Sequence, residues 1–467
     1  MPPSLALLLW FIMLVALLRF DPAKDPKTSI ALWVPVIWMF IVGSRLPSQW
    51  FGGLVAPVAE ILEEGNPFDR TVSSILILLA VVTLVSRSFK WRGFFERNVA
   101  LIAFLSFALV SFLWSDFPMI ALKRWFRDLG NYLMVLVVLS DPRPLEAVRT
   151  TLRRLGFLLI PLSIVLVKYY PEIGRQYDYW KGTAETVGVT TSKNMLGVAC
   201  LVSGIFFFWD AVTRWRERKQ PGTKRIITID VAFLAMTIWL LNLANSATSS
   251  VCLVMGCLVI IAACSKTFHR RPGFLKALIP TCFCLYLVLA FGFNVNGQLA
   301  GAVGRDPTLT DRTKIWELLL GMHTNPVVGT GYESFWLGPR LQTVWHGGFG
   351  MINEAHNGYL SIYLNLGLIG VLLLVGFLIS SYRTICKGLK PQSNLAFLAL
   401  GVWAVLVLYN MTEAAFSGGL LWIMLLMGAL AVPTRAAHRI SNVAGFDDAE
   451  AAGQFSSLAL EMTGQRR

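Results

Sequence analysis

The chain has 467 residues and a formal net charge of +14, with 55% hydrophobic and 15% charged residues. Soluble domains carry roughly 25% charged residues, so this composition excludes a soluble globular protein. The basic residues stand in short segments between long apolar runs, which indicates membrane topology rather than nucleic-acid binding. The seven cysteines show no paired Cys-x-x-Cys spacing, so neither a disulfide framework nor a zinc site is predicted.

The apolar runs, taken in chain order, predict an all-α polytopic membrane protein with about 12–13 transmembrane helices. The first run follows no basic segment, so we interpret it as a retained span rather than a cleaved signal peptide. The predicted spans are 4–19, 29–44, 72–87, 99–114, 129–141, 155–168, 194–209, 227–244, 250–265, 275–293, 357–381, 395–411 and 419–433.

Alternate connections between these spans are rich in Lys and Arg, which places them in the cytoplasm and the N-terminus outside. Residues 1–433 are then a membrane helical bundle, and residues 434–467 are a flexible cytoplasmic tail. The long external loop 294–356 is the candidate catalytic loop, because loops of this length are usually functional or disordered. The predicted external loop 115–128 breaks the pattern with three basic residues, so it either meets an anionic group or is an interfacial helix.

Arg312 is the first candidate for chemistry. The residues after Asp311 repeat apolar positions at helical spacing, with Ile315 and Leu319 on one face, so an amphipathic helix is expected to begin here. An arginine in the first turn of such a helix can bind an anion together with free backbone N–H groups. A solvated arginine at the membrane rim remains the alternative.

His356 is the second candidate, because it stands where the external loop returns to an apolar run. A neutral imidazole there can accept a hydroxyl proton, with Glu354 or Asn357 orienting it. A histidine that merely caps the following helix remains the alternative.

Two segments together resemble the O-antigen ligase/polymerase superfamily, most closely its exopolysaccharide-polymerase branch. The first is Gly-Arg-Asp-Pro-Thr-Leu-Thr-Asp-Arg-Thr-Lys-Ile-Trp at 304–316, and the second is His-Asn-Gly-Tyr-Leu at 356–360. Further matches are Pro-Glu-Ile-Gly-Arg at 171–175, the span entry at 191–197, Asn-Pro-Val-Val-Gly-Thr-Gly-Tyr at 325–332 and Asn-Met-Thr-Glu at 410–413.

The resemblance implies a C-type membrane glycosyltransferase architecture in the bacterial cytoplasmic membrane, with the active site on the external face. It implies a polyprenyl-diphosphate-linked glycan donor, with Arg312 binding the diphosphate and His356 acting as base. The other implied partners are a glycan or lipid-linked acceptor, membrane lipids, and polysaccharide export or chain-length-control proteins. Family members carry a cation after a serine where this chain reads Ser-Ala-Thr-Ser at 246–249. The expected substrate-binding residues are Arg175, Lys193, Arg305, Glu354, Asn357, Glu413 and Trp316.

No cofactor is expected, and no metal, since no external loop contains an Asp-x-Asp sequence to hold Mg²⁺. Arginines must then neutralise the leaving diphosphate. Two other functions remain open from sequence: a lipid-linked oligosaccharide flippase or other transporter, and a non-catalytic assembly component of an envelope complex. Polymerase and ligase differ only in the acceptor, which the sequence does not specify.

Overall fold

The computed structural model describes residues 1–23, 27–52, 65–177, 182, 184–265, 272–287, 312–348, 352–390 and 393–433. These residues are almost entirely helical, so the prediction of an all-α polytopic membrane protein is confirmed. Arg305, the start of the predicted external loop and the tail 434–467 lie outside the described residues.

The first half of the chain forms nine α-helices and one small hairpin within the described residues. The helices are α1 (Pro3–Phe20), α2 (Trp33–Val42), α3 (Pro47–Trp50), α4 (Pro67–Ser86), α5 (Trp91–Arg97), α6 (Val99–Val110), α7 (Pro118–Leu139), α8 (Pro144–Tyr169) and α9 (Pro171–Gly174). The hairpin pairs β1 (Arg175–Tyr177) with β2 (Ala184–Thr186) in antiparallel register.

The second half of the described chain is helical throughout its regular structure. The helices are α10 (Lys193–Trp215), α11 (Thr223–Ala244), α12 (Ala247–Cys264), α13 (Pro272–Leu287), α14 (Arg312–Gly321), α15 (Gly338–His346), α16 (Gly358–Gly388), α17 (Asn394–Tyr409) and α18 (Leu420–Ala429). Helices α10, α17 and α18 form the centre of the bundle, since nearly all their side chains are buried, whereas α1 and α4 are exposed and face outward.

A helix overlaps each of the thirteen predicted spans. Seven of the described helices are long and apolar enough to cross a membrane, and the pair α5 and α6, bent by 95°, makes an eighth if it forms one span. Helices α2, α17 and α18 are shorter and apolar. Hydropathy therefore predicted the positions of the helices, because lipid requires backbone polar groups to bond within the segment.

Two boundaries were predicted wrongly. The expected external loop 115–128 is mostly the first half of helix α7. The N-terminal turns of this helix carry charged residues, so hydropathy did not predict them as part of a helix. The span expected at 357–381 is broken at Gly367, where φ is 62° and ψ is −165°.

The break at Gly367 is held open by the segment that follows α14. Thr330 and Gly331 donate backbone hydrogen bonds to the carbonyl oxygens of Leu364 and Asn365, at 3.1 and 2.8 Å. A β-carbon on Gly367 would lie 2.3 Å from the carbonyl carbon of Val327, so only glycine permits this approach. The break gives α16 a short first part, residues 358–366, and sets the position of the loop that precedes it.

Candidate active site

Glu413 joins three separate parts of the chain through one carboxylate. Its Oε1 accepts a hydrogen bond from Arg312 Nη2 at 2.7 Å, and its Oε2 lies 3.2 Å from His356 Nδ1. Asn194, at the start of α10, donates to the same Oε2 at 3.3 Å. The two residues expected to carry the chemistry are therefore linked through a third residue, although they lie on different segments.

Glu413 is held in the turn after helix α17. Its backbone N–H donates to the carbonyl of Tyr409 at 3.0 Å, which continues the last helical turn. The residue is only 5% exposed. Burial raises the pKa of Glu413, but the hydrogen bond from His356 and the charge of Arg312 outweigh burial and leave the pKa below its ordinary value. Glu413 is thus a carboxylate at neutral pH.

Arg312 begins helix α14, and Trp316 fixes that helix beside His356. The buried positions Ile315 and Leu319 confirm the apolar face that was expected from spacing. Arg312 also donates to the carbonyl of Thr412, next to Glu413. Trp316 donates from Nε1 to the carbonyl of Ala355 at 2.8 Å, so its indole holds the loop rather than standing free for a sugar ring.

His356 occupies a left-handed backbone conformation, with φ of 47°. Such conformations are uncommon for residues other than glycine and concentrate at functional sites. Its Nδ1 lies 3.1 Å from Glu354 and 3.2 Å from Glu413, while Nε2 has no hydrogen-bond partner among the described residues. One ring nitrogen is thus oriented by carboxylates and the other is left for a substrate.

The protonation of His356 differs from the neutral imidazole expected from sequence. Burial lowers the pKa of the ring, but hydrogen bonds and charges from Glu354 and Glu413 outweigh burial and raise the pKa to about 9. At pH 7 the protonated ring is therefore the favoured form.

Asn357 and Gly358 connect the histidine to the following helix. The Asn357 side chain accepts from the backbone N–H of Leu360 at 3.0 Å, which caps α16, and also donates to the carbonyl of Met411 at 3.4 Å. Gly358 donates from its backbone to the carbonyl of Asn410 at 2.9 Å. Asn357 is therefore a helix cap, with its side chain tied to the turn that carries Glu413.

Lys193 and Arg175, the other predicted cations within the described residues, each have their own partner. Lys193 forms an ion pair with Glu185 of β2, and Arg175 donates to the carbonyl of Val167 at 3.2 Å. Lys193 precedes Asn194 in α10, but neither Lys193 nor Arg175 contacts Arg312, His356 or Glu413 among the described residues. Asn194 was missed as a site residue, although it lies in the segment 191–197 that carries the resemblance.

The segment 246–249, where the resemblance led us to expect a cation, packs beside the site. Ser246 and Ser249 hydrogen-bond to each other at 3.0 Å and are buried. They press against α10 so closely that a β-carbon on Gly197 would lie 2.6 Å from the Ser249 hydroxyl. Thr248 contacts Thr412, the neighbour of Glu413, at 3.0 Å between hydroxyls. Hydroxyl groups therefore occupy this position in place of a cation.

Arg124 and Arg127, two of the three basic residues in the segment 115–128, contact other groups of the protein. Arg127 pairs with Asp128 at 3.0 Å, and Arg124 donates to the backbone carbonyl of Glu333. Tyr332 donates to Asp128 at 3.0 Å. The contacts of Arg124 and Tyr332 anchor the segment 325–337 to α7, which accounts for the charge of Arg124. The pair with Asp128 accounts for the charge of Arg127.

Glu354, His356 and Glu413 could also hold a metal ion, since one ligand atom from each lies within 4.8 Å of the others. Glu413 lies 57 residues from His356, so no local Asp-x-Asp pattern marks this cluster in the sequence. His356 would have to lose its proton before it bound a metal. The expectation of a metal-free site stays a prediction.

Two comparisons with known proteins bear on this site. The family described as O-antigen ligase matches residues 231–375, a range that contains Arg312, His356 and the first part of α16. The exopolysaccharide production protein ExoQ of Rhizobium meliloti (strain 1021) is 26% identical over 370 residues, covering 74% of this chain and 80% of that protein. The resemblance expected from the motifs, including its exopolysaccharide branch, is confirmed.

Proposed function

From its similarity to the O-antigen ligase/polymerase superfamily, we propose that this multi-pass membrane protein is a glycosyltransferase that polymerises or ligates polysaccharide repeat units. The donor is a glycan linked to polyprenyl diphosphate, and the reaction takes place at the external face of the bacterial cytoplasmic membrane. The chain of contacts from Arg312 through Glu413 to His356 carries the proposal. Arg312 is the phosphate-binding fork and His356 the proton acceptor, and one buried carboxylate contacts both.

The reaction is a single displacement at the anomeric carbon of the donor. The acceptor hydroxyl oxygen forms the new bond to that carbon while the carbon–oxygen bond to the diphosphate breaks. The hydroxyl proton passes to Nε2 of His356, and the electron pair leaves with the diphosphate. Arg312 stabilises the charge that develops on the diphosphate, since a guanidinium binds phosphate oxygens in a bidentate fork. The product has inverted anomeric configuration.

Glu413 orients both groups rather than touching the substrate. Its Oε2 holds Nδ1 of His356, which leaves Nε2 as the basic nitrogen, by the logic of other carboxylate–histidine pairs. Its Oε1 fixes the guanidinium of Arg312 on the same side of the loop. Asn194 donates to this carboxylate, and Lys193, the preceding residue, supplies a further cation for an anionic donor lipid.

The position of these charges favours an enzyme over a transporter. Transporters bind substrate near the membrane midplane on broken helices. Here Arg312, His356 and Glu413 lie in connections or at helix starts, outside the apolar parts of the spans. A non-catalytic assembly component would tolerate substitution of His356, so the effect of such a substitution distinguishes an enzyme from an assembly component.

The test is transfer by purified protein in lipid nanodiscs with a polyprenyl-diphosphate-linked glycan and an acceptor. His356→Ala is expected to lower the rate per folded molecule by roughly 10²–10⁴. His346→Ala is the matched control, since His346 is an exposed histidine in the same external region. His356→Asn separates a base from a helix cap: full activity in this variant would remove the base assignment.

The same preparation tests whether transfer requires a metal ion. Activity is expected to persist in excess chelator, because arginine neutralises the leaving group. Loss of activity in chelator, restored by Mg²⁺ or another divalent ion, would instead assign Glu354, His356 and Glu413 as a metal site.

Sidedness is tested separately in intact spheroplasts whose native cysteines are replaced by serine. Gln342→Cys, on the exposed surface of α15, is expected to react with an impermeant thiol reagent. Gln220→Cys, in the basic connection between α10 and α11, is expected not to react. The reverse pattern would invert the topology.

A further inference from the structure

A second cluster of charges lies at the end of the bundle away from Glu413. Asn194 contacts Glu413 at the start of α10, and Asp210 of the same helix lies 16 residues further on, roughly 24 Å along the axis. Beside Asp210, a cavity between the C-terminal end of α1 and helix α8 is lined by Asp21 and by the arginines Arg149, Arg153 and Arg154. This cavity is too distant to belong to the candidate active site.

Part of this cluster is internally paired. Arg153 Nη2 lies 2.5 Å from Asp210 and 2.6 Å from Asp230, both fully buried. Arg149 pairs with Glu146 at 2.7 Å and with Asp210 at 3.0 Å. These ion pairs satisfy the sides of the two guanidiniums that face α10 and α11.

Other donors of the same cavity remain unsatisfied. Nε and Nη1 of Arg153 and Nη1 of Arg154 are buried and have no hydrogen-bond partner among the described residues. Arg153 is 2% exposed, and its Nη1 lies 3.9 Å from a carboxylate oxygen of Asp21, beyond hydrogen-bond range. A buried donor without an acceptor costs free energy, so such groups normally have a partner. An acceptor with several oxygens, supplied from outside the chain, would satisfy them.

The surroundings of the cavity identify the source of that acceptor as lipid. The adjoining face of α1 exposes large apolar side chains and is among the least buried surfaces of the bundle. Arg154 lies over the ring of Trp33, with its guanidinium carbon 4.5 Å from the ring centroid, and tryptophan is typical of the membrane interface. The exposed residues of α1 on this surface are Leu8, Phe11, Ile12 and Val15.

We propose that this cavity binds the phosphate of an anionic phospholipid headgroup, with the acyl chains lying along α1. The phosphate oxygens accept from the unsatisfied donors of Arg153 and Arg154, while the apolar face of α1 contacts the chains. The site does not depend on the proposed glycosyl transfer, because its residues are distant from His356 and Glu413.

The experiment measures lipid binding to the full-length protein purified in neutral detergent. Native mass spectrometry counts bound phosphatidylglycerol, and thermal unfolding reports the stabilisation by added lipid. Phosphatidylglycerol is expected to remain bound and to raise the unfolding temperature, whereas zwitterionic phosphatidylcholine and inorganic phosphate at the same concentration give smaller effects.

Arg154→Gln removes an arginine that has no ion pair among the described residues, so the buried pairs of Arg153 stay intact. Binding of phosphatidylglycerol is expected to weaken roughly fivefold, as for one basic residue near an anionic membrane. Arg218→Gln is the matched control, since Arg218 also lies over a tryptophan, Trp215 at 5.2 Å, but is exposed and outside the cavity. Arg154→Lys keeps the charge without the planar fork, so intermediate binding is expected.

Three results would overturn the proposal. Equal binding by Arg154→Gln and Arg218→Gln would show that the cavity holds no lipid phosphate. Equal stabilisation by phosphatidylcholine would show that the bound lipid is not selected for negative charge. Full stabilisation by inorganic phosphate would assign the site to a free anion instead of a lipid.

Discussion

Gly358 and Asn410 approach so closely that a β-carbon on the glycine would lie 1.9 Å from Oδ1 of the asparagine. The Asn410 carbonyl also accepts the Gly358 backbone N–H, and Asn410 Oδ1 accepts from Ala415 at 2.7 Å. One asparagine thus joins the start of α16, next to His356, to the turn that carries Glu413. The distance between His356 and Glu413 depends on Gly358.

Gly358→Ala is therefore expected to lower both stability and transfer rate, because the added methyl group must push the two loops apart. Overpacking of this kind typically costs about 1–3 kcal/mol. Thermal unfolding in detergent and the transfer rate per folded molecule are the measurements. Gly376→Ala in the same helix is the control, since no atom lies within 4 Å of its β-carbon position. A Gly358→Ala protein as active and stable as Gly376→Ala would contradict the role of this contact.

Arg312→Lys keeps a positive charge but is expected to lose most activity. A lysine can replace the contact to Glu413, yet it cannot offer the planar fork that reaches the carboxylate, the Thr412 carbonyl and a phosphate together. The measurement is kcat/KM for the donor at equal protein level, with Arg340→Lys as the control because Arg340 pairs with Asp116 instead. Wild-type activity in Arg312→Lys would make Arg312 a rim charge and move diphosphate binding to Lys193, Arg175 or Arg305.

The pH dependence of transfer follows from the raised pKa of His356. If the neutral ring is the base, the rate constant is expected to rise with pH up to about 9, where the ring loses its proton. Glu354→Gln removes one of the two carboxylates that raise this pKa, so the midpoint is expected to move to lower pH. A midpoint that is the same in wild type and Glu354→Gln would show that another group controls the rate.

Stability is expected to change with pH in the opposite direction. The folded pKa of His356, about 9, lies above the unfolded value of roughly 6.5, so protonation stabilises the fold fully below pH 6.5. That stabilisation, up to roughly 3 kcal/mol, is lost as pH rises through 9. The difference in unfolding free energy between wild type and His356→Asn, measured from pH 6 to pH 10, checks this. A difference independent of pH would contradict the ion pairs with Glu354 and Glu413.

Arg153→Ala is expected to destabilise the bundle by about 3–5 kcal/mol, because it leaves Asp210 and Asp230 buried without their shared cation. Arg218→Ala, at an exposed position, is expected to change stability by less than about 0.5 kcal/mol. Both are measured by unfolding in detergent. A small effect of Arg153→Ala would mean that the charges of Arg149 and Arg214, which also pair with Asp210, compensate the charges of both Asp210 and Asp230.

The sequence by itself determined the fold class, the positions of the helices and the choice of Arg312 and His356. Hydropathy decides the helices because a chain in lipid must satisfy its backbone hydrogen bonds within each span. The hydropathy prediction failed at α7, because Lys123, Arg124 and Arg127 interrupt an apolar run although the helix continues through them. It also missed the break at Gly367, because glycine is common in membrane helices.

The tertiary structure decided which groups meet and in which charge state. Glu413 lies 101 residues from Arg312 and 57 from His356, so no local spacing predicts that one carboxylate binds both. The protonation of His356 likewise depends on two carboxylates brought to the same ring nitrogen by the folded loops. Local patterns determine helices because backbone bonding and lipid act on neighbouring residues, whereas pairing and pKa depend on distances between residues that only packing brings together.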